Sequence, residues 1–288
     1  EIGSGLVGSE MCIRDRLTPV IERTGRIPMK KKPKIPRAVI GTVLVFLVLL
    51  SVFMAGHDLW RQKQAQDTFE DLADLVTAPE DPEESQVESS APEESAEAQE
   101  PQEEQRNLSL LFEQNADCIG WICIPGTAVD YPLMHTPEDS EKYLRKDFYG
   151  AYSVNGVPFL DGRCSLESTN LIIYGHNMKN GTMFGSLKNY TDASYYAEHP
   201  TIELETAAGK ALYTIFSVMT VQKDDAWYRF LTVDTETDFL HQIRYARECS
   251  LYDTGIIPTY GQQLLTLSTC YGSSGGDGRL LIVAAKTE

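Results

Sequence analysis

Leu264-Leu265-Thr266-Leu267-Ser268-Thr269-Cys270, a loop from Tyr271 to Gly278, and Arg279-Leu280-Leu281-Ile282-Val283-Ala284 decide the reading of this chain. Both flanks are short apolar and β-branched runs bounded by glycines, the pattern of two buried strands joined by a tight connection. A hairpin places Cys270 at the exit of one strand and Arg279 at the entry of the next, so thiol and guanidinium meet at one end of a sheet. A fixed positive charge favours a thiolate and offers fork-shaped donors to a developing oxyanion, which acyl transfer through sulfur requires. The competing reading is a buried structural cysteine beside a surface arginine.

A second apolar run, Asn170-Leu171-Ile172-Ile173-Tyr174-Gly175-His176-Asn177-Met178, delivers a histidine just past a glycine. A lone histidine is usually structural or solvated. A histidine, a cysteine and an arginine, each at a strand terminus, instead supply an acid/base, a nucleophile and an electrophilic clamp.

With these residues the chain resembles the sortases, and among them class B. The resemblance is carried by Thr266-Leu267-Ser268-Thr269-Cys270, by Arg279, and by Tyr174-Gly175-His176-Asn177-Met178 with Met183-Phe184-Gly185 after it. Gly120-Trp121-Ile122, Ile124-Pro125-Gly126-Thr127, Asp130-Tyr131-Pro132 and Phe159-Leu160-Asp161 match in type and order, so it runs from about Asn107 onward.

The 288 residues are 42% hydrophobic with a net charge of −17, enough for one sizeable core plus appendages and adverse to nucleic-acid binding. Residues 1–28 read as a non-native leader, with Met29-Lys30-Lys31-Lys32 as the true start and 29–37 a basic cytoplasmic segment. Ala38 to Ala55 carries no charge and, at ~1.5 Å per residue, approaches the ~30 Å hydrocarbon thickness. A transmembrane helix over 38–56 follows, with Trp60 at the far interface and the preceding lysines holding the N-terminus in the cytoplasm. A cleaved signal peptide is the alternative. Residues 57–77 suggest a juxtamembrane helix. Residues 78–106 are rich in Glu, Pro, Ser and Gln and read as a disordered acidic stalk. The catalytic domain is then 107–288.

Within that domain Leu108, Leu111 and Phe112 suggest a short helix. Strands are predicted around Ile119–Ile124, Val129–Leu133, Pro158–Leu160, Asn170–Tyr174, Thr201–Glu205, Leu212–Val221, Leu264–Thr269 and Leu280–Ala284. Many short strands with glycine-bearing turns indicate a mainly β barrel or sandwich, and the resemblance makes it the closed sortase-type barrel with short helical insertions. The clearest insertion is Asp234 to Cys249, capped by Asp234 or Thr235, with Phe239, Leu240, Ile243 and Ala246 as its apolar stripe. Export permits oxidation of Cys118 and Cys123, or pairing of Cys164 with Cys249. No metal-ligand spacing is present and no cofactor is implied. His57 reads as interfacial, and His135, His199 and His241 as solvated.

What the resemblance implies is a single-pass, membrane-anchored cysteine transpeptidase on the outer face of a Gram-positive-type cell. Cys270 attacks the threonine carbonyl of a C-terminal sorting signal in exported proteins, His176 protonates the departing amine, and Arg279 holds the substrate backbone and the oxyanion. Thr269 is a substrate-positioning residue. An amine of the peptidoglycan cross-bridge, or a lysine of a pilin or other surface protein, releases the acyl-enzyme. The alternatives are a thiol hydrolase acting on the wall and a catalytically silent anchored binding module. Sorting signal and acceptor are not legible in the residues.

Overall fold

The computed structural model describes residues 37–77, 106–272 and 276–287. The expected leader, and nearly all of the basic segment and acidic stalk, lie outside these residues. The elements, in order, are α1 (Arg37–Thr77), α2 (Ser109–Gln114), β1 (Cys118–Cys123), β2 (Asp130–Met134), β3 (Phe159–Leu160), β4 (Asn170–Tyr174), α3 (Ala193–Glu198), β5 (Thr201–Thr206), β6 (Gly209–Gln222), α4 (Glu236–Glu248), β7 (Leu264–Cys270) and β8 (Gly278–Lys286). The strands close into a barrel in the order β1-β2-β3-β4-β7-β8-β6-β5. Each predicted strand is found, and the β7–β8 hairpin pairs in the expected antiparallel sense.

Two junctions in the barrel are parallel, β2 with β3 and β4 with β7. The second is decisive, because it lays the histidine-bearing run beside the cysteine-bearing run with both chains pointing the same way. Side chains alternate across each strand. From β7, Leu265 and Leu267 enter the barrel core together with Leu171 and Ile173 of β4 and Leu280 and Ile282 of β8. Leu264 joins a second core outside the barrel with Ile172, Leu281, Val283, Trp227 and the α4 residues Phe239, Ile243 and Ala246. Both faces of β7 are therefore covered, and its outward-facing polar residues are buried along with its leucines.

The outward-facing polar residues of β7 all have partners. The Trp227 indole donates to Thr266 Oγ1 at 3.1 Å, Thr266 donates to Asn170 Oδ1 at 2.8 Å, and the Tyr228 and Ser268 hydroxyls lie 2.8 Å apart. Thr235 caps α4 by accepting from the Asp238 amide. Leu240, expected on the apolar stripe of that helix, is instead 44% exposed, since it lies about 100° round the helix from Phe239.

The apolar helix and the expected juxtamembrane helix are one helix, α1. Ile40–His57, with mean hydropathy 2.2, is long and apolar enough to cross a membrane. From Phe53 onward the chain forms one compact unit, and the later part of α1 belongs to it. Phe69, Leu72 and Val76 fall on one helical face and are buried in the barrel-side core, with the Phe69 ring edge-on to Tyr131 at 5.1 Å. The sequence reading begins the globular domain at Asn107, after a spacer. In the structure the Asn107 amide donates to the Val76 carbonyl at 2.9 Å, so the residues flanking 78–105 are bound to each other. Arg106 is held as well, by ion pairs to Glu205 at 2.6 Å and Asp130 at 3.0 Å.

If α1 is part of the catalytic unit, Leu72→Ala should cost about 2–5 kcal/mol and Phe69→Ala about 3–5 kcal/mol. Thermal denaturation of the full chain in detergent, followed by near-ultraviolet circular dichroism, measures this, with the exposed Trp60→Ala as control. A melting temperature for Leu72→Ala equal to that of wild type would mean that α1 does not support the barrel.

Candidate active site

Cys270 and Arg279 are register partners across β7 and β8. The Tyr271 amide donates to the Gly278 carbonyl at 2.9 Å, one residue outside the pair on each strand. That pattern makes Cys270 and Arg279 a non-hydrogen-bonded antiparallel pair, the closer of the two kinds, with both side chains on the same face. The face is the outer one, since Leu281 and Val283 continue the Arg279 row and Ser268 and Thr266 the Cys270 row. The Cys270 residue is exposed. Arg279 is half-buried, and its Nη1 donates to the carbonyls of Gly278 at 2.8 Å and Gly276 at 3.3 Å. Nε and Nη2 have no protein partner among the described residues.

The parallel register of β4 and β7 runs from Asn170 opposite Leu264 to Tyr174 opposite Ser268. Continued two residues further, it sets His176 opposite Cys270. The Gly175 amide, donating to the Ser268 carbonyl at 3.2 Å, closes the last backbone rung of that register. Two further bonds tie the strand ends: Thr269 Oγ1 donates to the Gly175 carbonyl at 2.8 Å, and Asn177 Nδ2 to the Cys270 carbonyl at 2.7 Å. The chain then doubles back. The Phe184 amide donates to the His176 carbonyl at 3.0 Å, and the Phe184 ring covers Gly175, where a Cβ would sit 2.6 Å from it. Gly185 is required for the same reason, since a Cβ there would approach the Met178 carbonyl oxygen to 2.3 Å. The Met183-Phe184-Gly185 segment thus fixes the histidine loop from behind.

His176 Nε2 lies 2.7 Å from the Leu144 carbonyl. A carbonyl only accepts, so Nε2 carries a proton and the lone pair of the neutral ring is on Nδ1. Burial lowers the His176 pKa from its ordinary value, against the Leu144 carbonyl, which favours the proton, while Arg145 adds to the lowering. The ring is therefore neutral at pH 7, with Nδ1 ready to take a proton.

Cys270, His176 and Arg279 share a cleft of about 650 Å³ with Thr269, Ser268 and Tyr228. Asp161 organises the wall beyond them. Its carboxylate accepts from Arg163 Nε at 2.9 Å and Nη2 at 2.7 Å, and from the Tyr174 hydroxyl at 2.9 Å. Burial opposes ionisation of Asp161, but the Arg163 and Tyr174 donors outweigh it and hold the carboxyl below its usual range. Tyr174, whose own pKa is driven up by burial and then by Asp161, stacks on Tyr228 with centroids 6.2 Å apart.

The structure brings together the four site residues expected from the sequence, and adds groups that the sequence reading did not single out. Thr269 lines the cleft, yet it is 3% exposed and its hydroxyl is engaged by the Gly175 carbonyl, so its action on the site runs through the histidine segment. The Leu144 carbonyl has no sequence signal, because any residue supplies one. Asp161 stood in a motif without a role, as did Asn177. The two pairings left open by the sequence are not present: all five described cysteines are free thiols. Cys118 and Cys123 are five residues apart along β1, roughly 16 Å at strand rise, and Cys164 is buried while Cys249 is exposed at the end of α4. Among the described residues no group of three His, Cys, Asp or Glu could hold a metal ion.

The family model described as Sortase domain matches residues 122–287. The chain is 33% identical over 177 residues to sortase B of Listeria monocytogenes, covering 59% of this chain and 68% of that protein. Among solved structures it is similar to a Staphylococcus aureus sortase B–substrate complex, with TM-score 0.59 and 28% identity over 63% of this chain and 84% of that one. It is similar also to a sortase B complexed with Gly3, with TM-score 0.58 and 28% identity over 63% of this chain and 85% of that one.

The depressed His176 pKa has a consequence for stability. Below the ordinary imidazole value of 6.5 the unfolded chain binds a proton that the folded chain resists, so this group's contribution to stability is lost as pH falls through that value. Wild type should therefore lose more melting temperature between pH 7.5 and 5.5 than His176→Gln. Equal losses in the two proteins would place His176 in an environment no drier than water.

Proposed function

The chain belongs to the sortase family as a class B cysteine transpeptidase, and we propose that Cys270, His176 and Arg279 carry its reaction. The observation that supports this is the meeting of two strand pairings: Arg279 opposite Cys270 across the hairpin, and His176, two residues past the end of the parallel register, lining the same cleft.

In this reading the Cys270 thiol gives its proton to His176 Nδ1 as sulfur attacks the carbonyl of a sorting signal, and the tetrahedral oxyanion meets the Nε and Nη2 donors of Arg279. Collapse breaks the C–N bond, and Nδ1–H protonates the leaving amine, leaving a thioester on Cys270. The incoming amine loses its proton to Nδ1 as it attacks the thioester, and Nδ1 returns that proton to the departing sulfur. Nε2–H stays on the Leu144 carbonyl throughout and keeps the ring in one orientation. The substrates are exported proteins with a C-terminal sorting signal, and the acceptor is an amine of the cell-wall cross-bridge or of another surface protein. The similar sortase B structures in complex with a substrate and with Gly3 support both halves of this assignment. Ile40–His57 serves as the membrane anchor, with the lysines before it cytoplasmic and the barrel outside.

Two experiments test this. A fluorogenic peptide selected from a library for cleavage by the wild-type chain should form a covalent species absent in Cys270→Ala, and triglycine should divert the product from acid to peptide. Hydrolysis unaffected by triglycine would favour the thiol hydrolase. Arg279→Lys keeps the charge but loses the planar fork, so it should cost about 2.7–4 kcal/mol in kcat/KM, the loss of one oxyanion donor. Turnover within about threefold of wild type would remove Arg279 from the chemistry.

Orientation is tested on intact protoplasts with a membrane-impermeant maleimide, in a Cys249→Ser background. Cys270, read by mass spectrometry, should be labelled before lysis. Labelling only after lysis would invert the topology.

A further inference from the structure

We propose that Asn177 is a positioning residue for this transpeptidation, holding Cys270 at the depth of His176 by making the last rung of the β4–β7 ladder with its side chain. The inference rests on the reading that Cys270 and His176 react.

In a parallel ladder, rungs of one kind recur every two residues along each strand. The Gly175 amide on the Ser268 carbonyl is one such rung. The next joins position 177 to the carbonyl of position 270, and there the donor is Asn177 Nδ2, at 2.7 Å. A side-chain donor suits this point, since the backbone at 176–177 is turning away: the His176 carbonyl accepts from the Phe184 amide, and Asn177 pairs with Met183 in an antiparallel bridge. Met183 is itself anchored. It adopts a positive φ of 53°, and its amide donates to the Tyr131 hydroxyl at 2.9 Å, inside the barrel. Asn177 therefore pulls on Cys270 from a segment fixed to the core.

The bond also completes a clamp. The peptide unit joining Cys270 to Tyr271 is held by its carbonyl through Asn177 Nδ2, and by its N–H through the Gly278 carbonyl. With both ends of that plane fixed, the backbone that aims the Cys270 side chain is fixed although the residue itself is exposed. One end of the clamp belongs to the histidine's strand and the other to the arginine's, so this peptide unit ties all three reacting groups to one frame. Reaction rates are steep functions of such placement, with a displacement near 1 Å costing on the order of a hundredfold. Asn177 touches no substrate atom in this scheme; it acts through Cys270.

Three full-chain variants in detergent test the proposal. Asn177→Ala deletes the donor, Asn177→Asp is isosteric but presents acceptors and negative charge to the Cys270 carbonyl, and Cys270→Ala reports on the underlying reading. With the library-selected peptide, Asn177→Ala should lower kcat roughly ten- to hundredfold with KM within about twofold, and its melting temperature should stay near that of wild type. Asn177→Asp should fall at least as far. The pH–rate profile for alkylation of Cys270 by iodoacetamide, read by mass spectrometry, should move to higher pH in Asn177→Asp, because a carboxylate beside the thiol opposes its ionisation. A residue that only stabilised the fold would lower the melting temperature and leave kcat of the folded protein and the alkylation profile unchanged. That result overturns the proposal, as does kcat of Asn177→Ala within twofold of wild type. A covalent peptide adduct surviving in Cys270→Ala would instead overturn the nucleophile assignment, independently of how the Asn177 variants behave.

Discussion

The parallel pairing of β4 with β7 is the constraint on which the rest of this molecule depends. The hairpin of β7 and β8 brings Cys270 and Arg279, two of the three proposed reacting groups, together by local chain geometry, since only a short loop separates them. Nothing local brings His176 to them. It arrives because Asn170 to Tyr174 lie in register with Leu264 to Ser268, and because side-chain bonds from Thr269 and Asn177 tie the two chains together just beyond that register. A slip of one residue would turn the polar row Thr266-Ser268-Cys270 into the barrel and Leu265 and Leu267 out of it. The cores on either side of the sheet exclude that slip, so the catalytic register is enforced by apolar packing well away from the chemistry.

The same packing explains the cleft. The segment around Trp227 and Tyr228, together with α4, covers the outer face of β7 as far as Ser268. The cover stops there, and Cys270 and Arg279 emerge at its edge. Hydrogen bonds within the covered part leave the side chains of Thr266 and Ser268 partnered, which removes the penalty of burying them. Asp161 performs the equivalent service for the adjoining wall. By accepting from Arg163 and Tyr174 it lets an acid, a base and a phenol stand together beside a thiol.

At the other end of the chain, α1 carries the apolar stretch in its first part and a face buried in the core in its last turns. Its buried face supplies part of the core, and the Asn107 amide is bound to the Val76 carbonyl at its end. The weak helical spacing of Phe69, Leu72 and Val76 was visible in the sequence. Its meaning depended on a partner surface, around Tyr131, that lies more than fifty residues away.

By itself the sequence determined the elements that rest on short-range chemistry. Alternating and β-branched runs between glycines specify strands, Asp234-Thr235 ahead of an apolar stripe specifies a helix start, and an uncharged run from Ala38 specifies an apolar helix. Residue types alone also marked Cys270, His176 and Arg279 for the proposed roles of nucleophile, base and oxyanion donor, because these are scarce chemistries and each stood at a strand end. Only the tertiary structure decided how these groups are held. The Leu144 carbonyl that sets the His176 tautomer is a backbone group that every residue carries, and Asn177 and Thr269 are engaged by bonds to residues 93 and 94 positions away in sequence. Free cysteines, the place of α1 and the closure of the barrel belong to the same class: they depend on distances between segments remote in sequence, which cooperative packing sets and no local pattern encodes.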